Sequence, residues 1–323
     1  MNHILSSFVL AAGIAVAQTT PCISLNDATN SVGTSVTAFG FAGPGVLAYR
    51  FTPATSTILM AAEIYTASSL NNQGYMTLEI YDESALSLPG TRLGGGTWQT
   101  QTAGLGLDWQ GASFDALVTL SAGTNYWLVW RESGGNRLPY EPAGTTTTVA
   151  RLSNGNWILQ ATAQALKWRG YCNLLDAAGV QPIGFGCAST AGRVPAAFTN
   201  YLPNATSGTA SFQFEASGFL PGSLGLAILG ANPAFTSFPL AIAPAGCFLH
   251  SDATVVNTVV IGTGNQQAQH AVGANGHAWA DLPIPTDPAL VGAVIDAQFA
   301  GLDVLSGAPL PFVFSNGVRI TLS

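Results

Sequence analysis

Apolar and polar residues alternate along this chain in short runs, and glycine, proline, asparagine or serine ends each run before it reaches helical length. Along Met76-Thr77-Leu78-Glu79-Ile80-Tyr81-Asp82, one face collects Met76, Leu78 and Ile80, and the other collects Thr77, Glu79 and Tyr81. A period of two is the signature of a half-buried strand. Thr209 to Ala216 alternates likewise, with Ala210, Phe212 and Phe214 opposite Ser211, Gln213 and Glu215. Further runs rich in β-branched and aromatic residues span 46–51, 57–65, 75–81, 116–120, 125–130 and 165–171. Later in the chain come 223–229, 253–261, 277–282, 290–300 and 311–314. One short helix is expected, around Thr286 to Ala293. With 37 glycines and 18 prolines to make turns, the pattern predicts an all-β chain of sandwich or jelly-roll type. There is no 20–50-residue repeat of the kind that marks a solenoid or propeller.

At 323 residues, the chain has the length of about two ordinary domains. Charged residues make up only 8%, against roughly 25% in a typical soluble domain. Nine residues are basic, and Lys167 is the sole lysine. A net charge of -7 excludes a phosphate-tracking nucleic-acid binder, and equally a binder of anionic membranes.

The first residues read as an address. Ile4 to Val16 is apolar apart from Ser6, Ser7 and Gly13, and Ala15-Val16-Ala17 gives the small-x-small pattern before a cleavage site. The run is shorter than the roughly 20 apolar residues of a membrane span. Residues 1–17 are therefore predicted to be a signal peptide. The mature chain is predicted to be secreted, periplasmic or at the cell surface, with no membrane insertion after cleavage.

Export permits disulfides, and the four cysteines allow three connectivities. Cys22 and Cys172 bracket the first strand-rich region, whereas Cys187 and Cys247 fall in the second. That placement favours Cys22–Cys172 and Cys187–Cys247, worth about 4–5 kcal/mol each in the chain-entropy model. Zinc fails on spacing, because no C-x2-C pair occurs. Six of seven tryptophans precede Cys172, and residues 173–186 carry Pro182, Gly179, Gly184 and Gly186 with little periodicity. The predicted organisation is a jelly-roll-like sandwich over 18–172, a linker over 173–186 and a second sandwich over 187–323.

Several motifs carry a family resemblance. They include Cys22-Ile23-Ser24-Leu25-Asn26-Asp27-Ala28-Thr29-Asn30-Ser31 and Trp109-Gln110-Gly111-Ala112. Two more are the run Leu120 to Trp130 and the close Leu166-Lys167-Trp168-Arg169-Gly170-Tyr171-Cys172. Together they resemble a module of secreted planctomycete-type bacterial proteins, similar to jelly-roll modules that accompany surface anchors and carbohydrate-binding proteins. A second module of the same proteins is similar to Gly184-Phe185-Gly186-Cys187, Ala245-Gly246-Cys247, the run Leu282 to Leu290 and Ser315-Asn316-Gly317. The resemblance implies fold and export, and attaches no activity to either module.

Catalytic chemistry finds little footing in the motifs. No Gly-x-Ser-x-Gly elbow occurs, and the mature histidines are His250, His270 and His277. In His250-Ser251-Asp252, adjacent residues on a strand diverge. The three histidines have no recognised ligand spacing. Glu63 and Glu79 sit on separate strands and could face each other as a hydrolytic pair, whereas Asp82 and Glu83 should diverge. No cofactor is expected. Asn26, Asp27 and Asn30 form the one oxygen-rich loop for structural calcium, although such residues also cap turns.

Aromatics point instead to binding, because indole and phenol rings stack on the flat faces of sugars. Trp98, Trp109, Tyr140 and Trp157 lie in turn-rich segments; Trp109 and Trp98 are the candidate platforms, with Tyr140 and Trp157 as neighbours and Asp108 and Gln110 as hydroxyl partners. The sequence reading is an exported, non-catalytic binding or cell-surface structural protein whose partner is a glycan or other surface polymer. The alternative is a secreted hydrolase with an unrecognised site. The discriminator is whether His250 or His277 meets both a carboxylate and a hydroxyl in one cleft.

Overall fold

The computed structural model describes residues 21–27, 35–37, 46–66, 75–99, 108–132, 137–139, 144–174, 180–200, 202–209, 212–261 and 276–323. At 35–37, 99, 108, 137–139 and 260 only the backbone is described. The predicted signal peptide (1–17) lies outside these residues, as do Asn30, Tyr140 and His270.

The chain is all-β, and it contains antiparallel sheets packed as sandwiches. In the first half, a four-stranded sheet runs in the order β1 (Ile23–Leu25), β12 (Trp168–Tyr171), β4 (Thr57–Thr66) and β7 (Asp108–Leu120). It faces a six-stranded sheet in the order β11 (Asn156–Leu159), β10 (Val149–Ser153), β3 (Val46–Phe51), β8 (Tyr126–Glu132), β5 (Tyr75–Glu83) and β6 (Pro89–Gln99). A two-stranded ribbon pairs β2 (Ser35–Thr37) with β9 (Arg137–Pro139).

Alternation decides which side chains meet between these sheets. Leu59, Ile64, Val118 and Trp168 from one sheet bury against Leu47, Leu78, Ile80, Leu128 and Trp130 from the other. Each such side chain is worth about 1.5–3 kcal/mol in apolar burial. Along one side the sandwich closes through β6 and β7. Gly96 lies so close to β7 that a Cβ there would sit 2.7 Å from the Ala112 Cβ and collide with the Ser113 carbonyl.

A buried charge chain crosses this closure. Arg131 Nε meets Glu79 Oε2 at 2.7 Å, and Arg92 joins Glu79 at 2.8 Å to Asp115 at 2.9 Å. Asp115 also accepts from the Gly95 amide at 3.0 Å. Burial alone would lower the Arg92 pKa, but Asp115 and Glu79 override it, and the net shift is upward.

The second half has a five-stranded sheet in the order β13 (Val180–Ile183), β22 (Phe312–Thr321), β21 (Val294–Leu302), β16 (Leu224–Gly230) and β19 (Val255–Val260). A three-stranded sheet in the order β14 (Ala196–Phe198), β15 (Gln213–Ser217) and β20 (Ala278–Asp281) shares its core with it. A short ribbon pairs β17 (Phe238–Pro239) with β18 (Phe248–Leu249).

Two expectations change here. Val180–Ile183 falls in the predicted linker, yet it is the edge strand β13, where Pro182 lacks only an outward-facing donor. The predicted helix around Thr286–Ala293 is a three-residue 3-10 turn, Pro288–Leu290. Asp287 caps it, and Gly292 at φ 84° follows.

The halves touch along the outer edge of β7. Asn200 Oδ1 accepts from the Gly111 amide at 2.9 Å, Ser217 Oγ donates to the Ser113 carbonyl at 3.1 Å, and the Val194 amide donates to the Asp115 carbonyl at 3.1 Å. Phe198 joins the first core. Disulfides join Cys22 to Cys172 and Cys187 to Cys247, as the cysteine placement favours. Among the described residues, no helix is long and apolar enough to cross a membrane.

Candidate functional site

The outer face of the four-stranded sheet gathers an aromatic and charged cluster. Because Ile64 and Trp168 point inward, their neighbours Tyr65, Glu63, Lys167 and Arg169 point outward. The β4–β7 register places Trp109 directly across from Tyr65, with ring centroids 5.4 Å apart and the planes at 64°. Cations lie over both rings. Lys167 Nζ is 4.5 Å from the Tyr65 centroid, and the Arg169 guanidinium carbon is 3.7 Å from the Trp109 centroid. Arg169 is held by Asp27 at 2.6 Å. Behind them, Tyr171 donates to Glu63 Oε2 at 2.5 Å in a buried contact. Burial, reinforced by Glu63, pushes the Tyr171 phenol well up, so it stays a donor. Trp109 itself is half-buried. Within this cluster Glu63 and Lys167 are buried, whereas Asp27, Tyr65, Trp109 and Arg169 are half-buried and partly open.

Of the other predicted binding residues, Trp98, Gln110 and Trp157 do not join it. Trp98 is fully buried, and its indole donates to Gln110 Oε1 at 3.2 Å. Both point into the sandwich, opposite in sense to Trp109, because Gln110 is its immediate neighbour on β7. Trp98 is therefore a core residue, and no face of it is open for stacking. Trp157 is half-buried on the outer face of the six-stranded sheet, 6.5 Å from Tyr81. Asp108 lies on β7 with its side chain outside the described residues, as is the whole of Tyr140.

Tyr65, Lys167 and Arg169 are the members that the sequence reading missed, and Glu63 entered it only as half of a hydrolytic pair. The outward direction of Lys167 and Arg169 follows from alternation around Trp168. Their meeting with Trp109 depends on the pairing of β12 with β4 and of β4 with β7.

The oxygen-rich loop has other work. Asn26 clamps backbone, donating to the Thr145 and Leu166 carbonyls and accepting from the Thr145 amide. Asp27 holds Arg169. Both side chains thus have protein partners, and Asn30 lies outside the described residues. Glu63 and Glu79 lie on opposite outer faces of the sandwich, so they form no hydrolytic pair. Asp82 accepts from the Thr91 amide while Glu83 accepts from Asn125 and pairs with Arg50, so the two diverge.

The two described histidines split the discriminating criterion between them. His277 Nε2 meets Glu215 Oε2 at 2.8 Å, stacked on Trp279 and edge-on to Tyr75. Burial, then Glu215 and Asp281, raises the Tyr75 phenol to about 12. His250 Nδ1 instead meets the Ser237 hydroxyl at 2.8 Å, and Nε2 faces the Phe185 carbonyl at 3.4 Å. Ser251 and Asp252 turn to local backbone, Ser251 accepting from Ala253 and Asp252 from Ala231, so His250-Ser251-Asp252 is no triad. No protein-family model matches the chain, and no curated protein matches it.

Proposed function

We propose that the protein is an exported binding protein that holds a neutral, glycan-like polymer across the outer face of the four-stranded sheet. The Tyr65–Trp109 pair under Lys167 and Arg169 carries this reading, because three neighbouring strands deliver rings, donors and acceptors to one patch. Two cations there are matched by two carboxylates, Asp27 and Glu63, which favours an uncharged polymer over an anionic one. Trp109 is the stacking platform, and Arg169 and Asp27 serve the hydroxyls. The resemblance to exported planctomycete-type modules and the apolar leader at 1–17 support the compartment, as do two disulfides.

The test is Trp109→Ala, read by polysaccharide pull-down or glycan array alongside thermal melting. We expect affinity to fall by about 1 kcal/mol or more, roughly fivefold, while the folded state persists. Undiminished binding with a collapsed melting temperature would assign Trp109 to packing and end this reading.

A further inference from the structure

We infer that the second half carries a serine–histidine dyad, Ser237 and His250, able to cleave small carboxylic esters with an apolar acyl or alcohol part. The site is separate from the glycan face and does not rest on it.

The β17–β18 ribbon builds the pair. Its antiparallel register sets Phe238 across from Leu249, which places Ser237, one residue before, directly across from His250, one residue after. The hydroxyl and His250 Nδ1 are 2.8 Å apart. A carbonyl only accepts, so the Phe185 contact requires the proton on Nε2. Nδ1 is then the bare nitrogen, and Ser237 must donate to it. That is the arrangement of a nucleophile, its general base and a third group that orients the base, with a backbone carbonyl in the third place.

The imidazole is held from several sides. Its own amide donates to Gln298 Oε1 at 2.9 Å, and the Gln298 amide bonds the Phe248 and Ser315 carbonyls at 2.8 Å each. Phe248 lies nearly parallel to the ring, 6.0 Å away and tilted by 13°. Gly184 and Gly317 leave the room it occupies. A Cβ on Gly317 would fall 2.7 Å from the His250 Cβ, and one on Gly184 would run into the ring. Gly184 also has φ 62°, a conformation that favours glycine, and it aims the Phe185 carbonyl. Burial lowers the His250 pKa, which keeps the base neutral near pH 7.

Ser237 is half-buried, and Phe185, Phe238 and Phe248 are exposed nearby. This aromatic collar selects an apolar ester over a charged one. Ser237 Oγ would attack the ester carbonyl carbon as its proton passes to His250 Nδ1. The carbon–alkoxy bond then breaks, and the alcohol leaves with that proton. Water, deprotonated by His250, adds to the acyl carbon. The Oγ–acyl bond breaks, and the proton returns to Ser237. The net change is ester plus water to acid plus alcohol.

The test treats the full-length mature protein with an alkyl fluorophosphonate, which would form a bond to Ser237 Oγ and release fluoride. Peptide mass mapping and p-nitrophenyl butyrate hydrolysis provide the readouts. We expect one adduct on the Ser237 peptide, none there in Ser237→Ala, and labelling about 100-fold slower in His250→Gln. Wild-type labelling should rise with pH through a midpoint below 6.5 and then level off, a readout that needs no variant to fold. Three results would each overturn the dyad: no adduct in the folded wild type, an equal labelling rate in His250→Gln, or a flat pH profile below 7.

Discussion

Trp98 and Trp109 occupy the same composition of neighbourhood, glycine and short polar residues, yet the fold treats them oppositely. Trp98 is 0% exposed and hydrogen-bonded inside the sandwich, whereas Trp109 lies outward beneath a guanidinium. Trp98→Ala should therefore cost about 3–5 kcal/mol, measured by chemical denaturation, and leave polymer binding per folded molecule unchanged. His250 sets a second residue-scale expectation. Burial holds its pKa below the ordinary 6.5. As pH falls through that value, the unfolded chain takes up a proton that the folded chain refuses. Stability should decline, with a slope of at most about 1.4 kcal/mol per pH unit, until the folded-state pKa is reached. Denaturant midpoints between pH 7 and 5 should show this slope in the wild type, and His250→Gln should flatten it.

At the scale of strands, alternation and β-branched content made much of the fold readable. Val46–Phe51 is a strand over the predicted range, and the run through Met76 and Ile80 faces inward and outward as expected. The failures share a cause. Pro89–Gln99 and the first half of Asp108–Leu120 are glycine-interrupted and read as turns, but Gly94 and Gly96 are contact surface against β7, Gly95 lies against β5 and Gly111 against β4. Local propensity reports how a residue behaves alone, and here the neighbouring strand decides. Gly96→Val would drive a side chain into Ala112 and Ser113, and we expect a loss of about 1–3 kcal/mol in denaturant titration. The candidate site was legible to the same degree. Trp109 was visible as an aromatic in a polar setting, but Tyr65 and Arg169 join it only through the registers Tyr65↔Trp109 and Glu63↔Arg169, 44 and 106 residues apart. Charge follows the same logic. Asp115 gathers Arg92 and the Gly95 amide in a buried place, so Asp115→Ala should cost about 3–5 kcal/mol by leaving Arg92 half-paired.

Across the whole molecule, each disulfide closes a long loop within its own half, 150 residues for Cys22–Cys172 and 60 for Cys187–Cys247. Replacing both cysteines of either pair by alanine should lower stability by about 4–5 kcal/mol, which calorimetry on the two double variants can check. The halves are nevertheless not independent goods. On β7 the Gly111 amide and the Ser113 and Asp115 carbonyls, which point out of the sheet, are occupied by Asn200, Ser217 and Val194. A gene fragment ending near residue 174 would encode a product with a bare strand border, prone to zipping onto other copies of itself. Recombination that swapped the second half for an unrelated one would meet the same fate unless the newcomer brought equivalent side chains. The two halves are therefore expected to be inherited, and to be lost, together.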